Sequence, residues 1–244
     1  MFDLAHDHDI ARLTLNRPEA RNAIPAAGWA ALERSLDEAE GSGATLLVVR
    51  GAGTAFCAGA DLADLSAMRV DAGARRRFRT AMRSAIERLA RLPMPVIAAI
   101  DGACFGAGVA LAMACDIRVA GRAARFAITP AKFGISYPQE DVGRLVALIG
   151  PGQAARLLLS AGAVDAAEAA RIGLVEILAE ESAHEEAERL ARAIAAGSAA
   201  SHRILKRGIA LAAAGAARDA DQDRAFDDLL GSEGFAGRLA AARR

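Results

Sequence analysis

Apolar residues recur along the first two thirds of the chain with two different spacings. Alternation over residues 10–16 predicts a strand with one buried face. Apolar residues three or four positions apart over 26–40, and again over 78–89, predict two amphipathic helices. A short apolar run over 45–49 predicts a strand buried on both faces. The same reasoning predicts strands over 96–100 and 117–120 and helices over 109–114, 140–149, 153–160, 166–172 and 182–196.

Strands and helices alternate up to about residue 196, which favours an α/β architecture with mostly parallel pairing. Beyond that point only helices are predicted, over 201–214, 218–230 and 232–243. We therefore expect residues 1–196 to form the core and residues 197–244 to form a C-terminal helical region. So short a region has too little core of its own, so we expect it to pack against other subunits.

The composition favours small-molecule chemistry over nucleic-acid or membrane binding. Of the 244 residues, 53% are hydrophobic, so the chain can bury a sizeable core. Its 30 basic residues are balanced by 30 acidic residues, which removes the electrostatic basis for binding nucleic acid or an anionic membrane. Aromatic residues make up only 4%, too few for platforms on which bases stack.

The cysteines, Cys57, Cys104 and Cys115, are odd in number and widely spaced, with no CxxC pair and no neighbouring histidine. We therefore expect no metal site, and reduced thiols point to a cytoplasmic protein. The polar N-terminus lacks the basic and apolar regions of a signal peptide. The apolar stretch over 93–115 contains Asp101 and several glycines, so we interpret it as a strand, a loop and a helix, not as a membrane span.

Two glycine-containing segments are the candidates for a functional site, since the sequence has no GxSxG, HExxH or GxxxxGK motif. Residues 56–62 read FCAGADL, and residues 101–109 read DGACFGAGV. Small residues there let a ligand approach the backbone closely. A helix start also offers free N–H groups that suit an oxyanion. Taken singly, each segment is equally well explained as a tight turn that needs glycine for its shape.

Together and in this order, the two segments resemble the crotonase superfamily, the enoyl-CoA hydratase/isomerase family. FCAGADL is followed, about thirty residues later, by PVIAAIDGACFGAGVALAMACDIRVA, and the similarity extends to residues 16–23, 166–175 and 232–235. The resemblance implies an α/β fold, a crotonase-type spiral of ββα units with a C-terminal helical region. It implies an acyl-CoA thioester substrate, an enolate, and a homo-oligomer that is a trimer or a dimer of trimers. It implies no metal and no cofactor apart from the coenzyme A of the substrate.

In that family two backbone N–H groups bind the thioester oxygen, and the resemblance places them at Ala58 and Ala107. Alanine at position 107 replaces the usual glycine but keeps the N–H. Arg21 and Arg69 are candidates for contacts with CoA phosphates, and solvated surface arginines are the alternative. The residues that the resemblance assigns to substrate binding are Arg21, Asn22, Ala23, Phe56, Ala60, Asp61, Leu62, Gly106, Thr129 and Pro130.

The two glutamates of the family's hydratases have no counterpart here, because an ungapped alignment puts Ala110 and Pro130 at their positions. Neither side chain exchanges a proton, so we do not expect efficient hydration. The segment TPAKFGISY over 129–137 resembles a subgroup that includes methylmalonyl-CoA decarboxylase. The match is partial, since that decarboxylase has a histidine where this chain has Ala60.

Tyr137, the only tyrosine, and Glu140 are the candidate catalytic side chains of this segment. A phenol donates a hydrogen bond to a carboxylate or relays a proton, and the alternative is a tyrosine that only packs. Glu140 is a candidate acid or base, and the alternative is an acidic residue that stabilises a helix N-terminus. Asp141 is the other carboxylate nearby.

Two functions therefore stay open. The first is an acyl-CoA enzyme that isomerises or decarboxylates its substrate, because both reactions tolerate the missing glutamates better than hydration does. The second is a non-catalytic acyl-CoA-binding protein of the same fold. A dehydrogenase that binds a dinucleotide is disfavoured, because Gly102, Gly106 and Gly108 do not have the GxGxxG spacing.

Overall fold

The central strand at Leu46–Gly51 is buried on both faces, as its apolar run predicts. In the computed structural model, which describes residues 1–243, this strand lies inside a six-stranded sheet. Leu47 and Val49 point into one hydrophobic core, and the alternate side chains point into a second core on the opposite face. Because successive side chains of a strand alternate between faces, one short apolar run serves two cores.

Strands and α-helices alternate along most of the described chain. The strands are β1 (Phe2–Asp7), β2 (Ile10–Leu15), β3 (Leu46–Gly51), β4 (Val96–Ile100), β5 (Ala103–Phe105), β6 (Ile117–Ala120), β7 (Arg125–Ala127), β8 (Ala163–Asp165) and β9 (Ile177–Leu178). The α-helices are α1 (Gly28–Gly41), α2 (Leu62–Ala67), α3 (Ala72–Ala90), α4 (Ala107–Met113), α5 (Gln139–Ser160), α6 (Ala166–Arg171), α7 (Ala183–Ala195), α8 (Ala199–Ala213), α9 (Ala220–Leu230) and α10 (Glu233–Ala242). Short 3-10 turns lie at Pro18–Ala20, Met68–Val70 and Pro130–Phe133.

The predicted α/β class and the mostly parallel pairing are confirmed. The large sheet has the order β1-β2-β3-β4-β6-β9, and each of its pairs after β1–β2 is parallel. A small sheet has the order β5-β7-β8. The sequence does not predict β1, because most of its side chains are exposed and show no apolar face. The strands β5, β8 and β9 are too short for a period to be visible.

Helices cover the two faces of the large sheet with different side chains. Trp29 of α1 and Ile86 of α3 pack into the larger core. On the opposite face α7 presents Ala183, Ala187 and Ala191, each four residues apart. Residues four apart share one face of a helix, and alanine lets that helix approach the sheet closely.

The chain leaves the large sheet at Gly102 and enters the small sheet at β5. Gly102 has φ +61°, and a Cβ at this position would lie 1.8 Å from the Thr54 carbonyl oxygen. Only glycine tolerates both the left-handed backbone and this contact. The close passage brings β5 against the loop that follows β3, and that contact positions the candidate site.

One helix in the described part of the chain, α5, has the length and composition of a membrane span. Gly150 interrupts it with a non-helical φ of 74° and ψ of 163°, and Pro151 follows. The chain therefore forms two helical segments here, as the separate helices predicted over 140–149 and 153–160 imply. Neither segment reaches the roughly twenty residues that a span needs.

The last three helices, α8 to α10, contribute no buried residue to the described structure. Lys206 ties α8 to the core, because its ammonium group donates to the Asp116 carboxylate at 2.7 Å and to the Met94 carbonyl oxygen at 2.9 Å. The large apolar side chains that stay exposed on these helices are Leu205, Ile209, Phe226, Leu230, Phe235 and Leu239. The division of the chain near residue 197 into a core and a C-terminal helical region stays a prediction, and this exposed apolar surface supports it.

The replacement Gly102→Ala is expected to lower the free energy of unfolding by about 3 kcal/mol or more, because the new methyl group would overlap the Thr54 carbonyl. The matched control is Gly143→Ala, where a Cβ inside α5 meets no atom within 4 Å. That control is expected to raise the free energy of unfolding by about 0.5–1 kcal/mol. Urea unfolding measures both, and equal stabilities of the two variants would contradict the close passage.

Candidate active site

A cavity of about 970 Å³ opens where the two glycine-containing segments meet α3 and the segment over 129–141. Phe78 and Met82 of α3 form part of its wall. Phe133 and Ile135 also line it, and each is about half exposed. The cavity thus joins backbone from the glycine-containing segments to an apolar wall, a combination typical of small-molecule sites.

Main-chain hydrogen bonds hold the two glycine-containing segments side by side. The Cys57 N–H donates to the Ala103 carbonyl at 3.0 Å, and the Phe105 N–H donates to the Cys57 carbonyl at 2.9 Å. These bonds pair Cys57 with Cys104 in a parallel bridge. Three residues beyond Cys57 and Cys104, the two segments reach Ala60 and Ala107.

The predicted role of Ala58 needs a correction, because its N–H is already used. It donates to the Arg21 carbonyl oxygen at 2.9 Å, so it is not available for a ligand. Ala60 has the amide that the prediction requires. Ile24 donates to the Gly59 carbonyl and accepts from the Asp61 N–H, so the Ala60 N–H points away from Ile24.

Ala60 and Ala107 both line the cavity, and neither N–H has an acceptor among residues 1–243. Ala107 is the first residue of α4, where helix geometry leaves the N–H without a partner. The preceding Gly106 has φ 51° and ψ −117° and supplies no side-chain cap. A Cβ placed on Gly59 would lie 3.3 Å from the Ala107 nitrogen. The two free donors are therefore neighbours on the cavity wall.

Two predicted substrate contacts, Asn22 and Phe56, lie outside the cavity lining and need correction. Asn22 is fully buried, and its amide donates to the Ala52 and Ala55 carbonyls at 2.9 and 2.7 Å. Its side-chain oxygen accepts from the Arg17 N–H at 2.9 Å. Asn22 therefore ties loops together beneath the site, and Phe56 is a core side chain.

Gly106 and the other predicted contacts that precede the segment over 129–141 do border the cavity. The others are Arg21, Ala23, Ala60, Asp61 and Leu62. Asp61 also forms an ion pair with Arg17 at 2.6 Å, which holds the pKa of this carboxyl below its usual value. Arg69 does not line the cavity. Its backbone carbonyl accepts a hydrogen bond from the Arg75 guanidinium.

The segment over 129–141 brings Thr129, Pro130, Tyr137 and Glu140 to the cavity, as predicted from its sequence. The Tyr137 hydroxyl donates to the Gly106 carbonyl oxygen at 3.0 Å. Burial raises the pKa of Tyr137 well above its usual value, so the phenol stays neutral.

Asp141 is a candidate acid or base that the sequence does not distinguish from its neighbour. Glu140 pairs with Arg83 at 2.9 Å, and a third of its side chain is exposed. Asp141 also lines the cavity but is nearly inaccessible to solvent. Burial raises the pKa of Asp141 to about 6, although Arg144 at 2.9 Å opposes the shift. Two adjacent carboxylates at a helix start look alike in sequence, and only burial separates them.

This arrangement can stabilise a negatively charged oxygen and move one proton. Two uncommitted N–H groups, at Ala60 and Ala107, serve as donors to an oxyanion. Asp141, whose pKa burial raises to about 6, can serve as acid or base. Ala110, at one glutamate position of the hydratases, is fully buried and does not line the cavity.

Comparisons with known proteins agree with the resemblance predicted from the glycine-containing segments. Residues 5–230 match the family model of enoyl-CoA hydratase/isomerase. A short-chain-enoyl-CoA hydratase from Clostridium acetobutylicum is 36% identical over 181 residues, 73% of this chain and 69% of that protein. A crystal structure of an enoyl-CoA hydratase/isomerase family protein from Hyphomonas neptunium has a TM-score of 0.94 at 35% identity, covering 100% of this chain and 95% of that one. An enoyl-CoA hydratase from Bacillus anthracis has a TM-score of 0.89 at 27% identity, covering 99% and 95%.

Proposed function

This chain belongs to the enoyl-CoA hydratase/isomerase family, and from this premise we propose that it isomerises the double bond of an acyl-CoA thioester through an enolate. The observation that carries the proposal is that the free N–H groups of Ala60 and Ala107 and the buried carboxyl group of Asp141 line one cavity. Coenzyme A enters as part of the substrate, and the proposed reaction uses no other cofactor.

The two N–H groups stabilise the thioester oxygen as negative charge develops on it. Loss of a proton from the α-carbon turns the thioester into an enolate, whose charge rests mainly on that oxygen. A backbone donor that already points at this position needs no reorganisation, and each is worth a few kcal/mol, typically about 3–4. The apolar wall at Phe78 and Met82 lowers the local dielectric and strengthens both hydrogen bonds.

Asp141 is the proposed proton carrier. Its carboxylate takes a proton from the α-carbon of a β,γ-unsaturated thioester, and the electron pair moves into the enolate. The same carboxyl group then returns the proton to the γ-carbon, which leaves an α,β-unsaturated product. A single acid/base group suffices for this transfer. Glu140, which is more exposed and pairs with Arg83, stays a candidate for the same role.

Hydration is disfavoured even though relatives such as the Clostridium acetobutylicum protein are named hydratases. Addition of water needs groups that activate the water and donate a proton. Pro130 lines the cavity without an ionisable group, and Ala110 is buried away from it.

Decarboxylation is the second candidate reaction. The segment that resembles methylmalonyl-CoA decarboxylase lines the cavity through Thr129 and Tyr137. Loss of carbon dioxide from an acyl group also leaves an enolate, so the same two N–H donors would serve. A non-catalytic acyl-CoA-binding protein is the alternative if no thioester turns over.

The proposed assembly is a trimer or a dimer of trimers that forms through α8 to α10. Exposed apolar side chains on these helices, such as Ile209 and Phe226, support contacts with further copies of the chain. A cytoplasmic location is also a proposal, supported by three free and buried cysteines. Arg21, at the cavity, is the proposed contact for a CoA phosphate.

A panel of CoA thioesters analysed by mass spectrometry and ultraviolet absorbance tests the reaction. We expect isomerisation of a 3-enoyl-CoA to exceed hydration of crotonyl-CoA by at least about 10²-fold, because a single acid/base group suffices for isomerisation and the hydratase glutamates are absent. Release of carbon dioxide from a malonyl-type thioester would favour the second candidate instead. Crotonyl-CoA hydration at roughly 10 s⁻¹ or faster, the ordinary range of enzymes, would contradict the proposal.

The pH dependence of the reaction identifies the proton carrier. Asp141 must be ionised to accept the proton, so kcat/KM should fall as the pH drops through about 6. The variant Asp141→Asn is expected to lose about 10²-fold or more in kcat. The comparison variant is Glu140→Gln, which removes the adjacent and more exposed carboxylate. A larger loss in that variant would assign the role to Glu140.

Sedimentation velocity at micromolar concentration tests the assembly. The wild-type chain is expected at three or six times the mass of one chain. Ile209→Glu should shift the protein to lower mass, because it puts a charge on the proposed interface. The matched control is Leu159→Glu, which changes an exposed leucine outside α8 to α10. A monomeric wild type is the outcome that contradicts this proposal.

A further inference from the structure

The peptide that joins Gly106 to Ala107 carries one of the two proposed oxyanion donors, yet local backbone preferences do not hold it in place. Gly106 has φ 51° and ψ −117°, outside the wells of ordinary residues, and no side chain caps the start of α4. Glycine has more backbone freedom than any other residue. Hydrogen bonds to the Gly106 carbonyl oxygen therefore set the orientation of this peptide plane.

Tyr137 supplies one of these hydrogen bonds from the segment that follows β7. Its hydroxyl donates to the Gly106 carbonyl oxygen at 3.0 Å. The helix amides of Val109 and Ala110 also donate to this oxygen, at 3.0 and 3.3 Å. In a trans peptide the C=O and the following N–H point in opposite directions within one rigid plane. Fixing the Gly106 carbonyl therefore aims the Ala107 N–H.

We propose that Tyr137 is a positioning residue, which holds the Gly106 carbonyl from behind and thereby directs the Ala107 N–H at the thioester oxygen. This inference rests on the proposed function, because the direction of that N–H matters only if an acyl-CoA oxygen binds there. A hydrogen bond to the carbonyl also polarises the peptide, which makes its N–H a stronger donor.

The surroundings of the phenol favour positioning over proton transfer. The hydroxyl donates its proton to the Gly106 carbonyl oxygen. Burial keeps the pKa of Tyr137 well above its usual value, so the group donates one fixed hydrogen bond. Ala110 is small and fully buried, which leaves room for the phenol above α4.

Infrared difference spectroscopy of bound butyryl-CoA with ¹³C at the thioester carbonyl tests the proposal directly. This saturated thioester has no double bond to isomerise, and hydrogen bonds to its oxygen lower the carbonyl stretching frequency. In the wild type we expect a frequency below that of free butyryl-CoA. In Tyr137→Phe we expect a smaller shift of this frequency. We also expect kcat to fall roughly 10-fold with KM little changed. That loss in kcat is smaller than the roughly 10²–10³-fold loss on removing an oxyanion donor outright.

The matched control is Ser160→Ala, which removes another hydroxyl that donates to a backbone carbonyl, that of Arg156 at 2.6 Å, away from the cavity. Its carbonyl shift is expected to equal that of the wild type. If the wild type shows no shift, the proposed oxyanion site fails and this inference fails with it. If the wild type shows the shift and Tyr137→Phe retains all of it, the inference alone is overturned.

A second measurement applies if Tyr137→Phe does not fold. Because Tyr137 is the only tyrosine, growth on 3-fluorotyrosine labels this position alone. The fluorinated phenol is more acidic and donates a stronger hydrogen bond. We expect its ¹⁹F resonance to move when butyryl-CoA binds, and the thioester carbonyl shift to equal or exceed that of the wild type. A ¹⁹F chemical shift that does not change at saturating butyryl-CoA would overturn the inference.

Discussion

Main-chain hydrogen bonds between two glycine-containing segments are the constraint on which the site depends. Cys57 bonds to the residues on either side of Cys104, and this pairing brings Ala60 and Ala107 to one wall of the cavity. The segments approach so closely that a Cβ at Gly108 would lie 2.3 Å from the Cys57 carbonyl oxygen. Because the donors are backbone groups inside a packed fold, they keep their direction without a side chain that must reorganise.

In the proposed reaction the proton chemistry depends on the start of α5 and not on α4. Ala110, the position on α4 to which the resemblance assigns a hydratase glutamate, is fully buried. Tyr137 binds the Gly106 carbonyl at the start of the same helix. The available carboxyl group is Asp141, held by Arg144 and raised in pKa by burial. In this proposal the scaffold keeps two backbone donors for an oxyanion, while its proton chemistry depends on a different helix.

Support for this arrangement comes from residues that never touch the cavity. Asn22 binds the Ala52 and Ala55 carbonyls and the Arg17 amide, so the loops below the site form one unit. The resemblance alone assigned Asn22 to the substrate. A family motif identifies residues that belong to a site, but it does not separate those that touch a ligand from those that hold the loops.

Hydrophobic spacing alone predicted the parallel α/β core, the break in α5 and the C-terminal helices, because side-chain periodicity reports local backbone geometry. The order of the two glycine-containing segments predicted the family and the location of the site. The tertiary structure decided which amide is free: the Ala58 N–H is occupied by the Arg21 carbonyl, and the Ala60 N–H is not. It also separated Asp141 from Glu140, since burial and an ion pair depend on elements distant in sequence. Hydrogen-bond partners and desolvation are properties of the assembled fold, so no local pattern contains them.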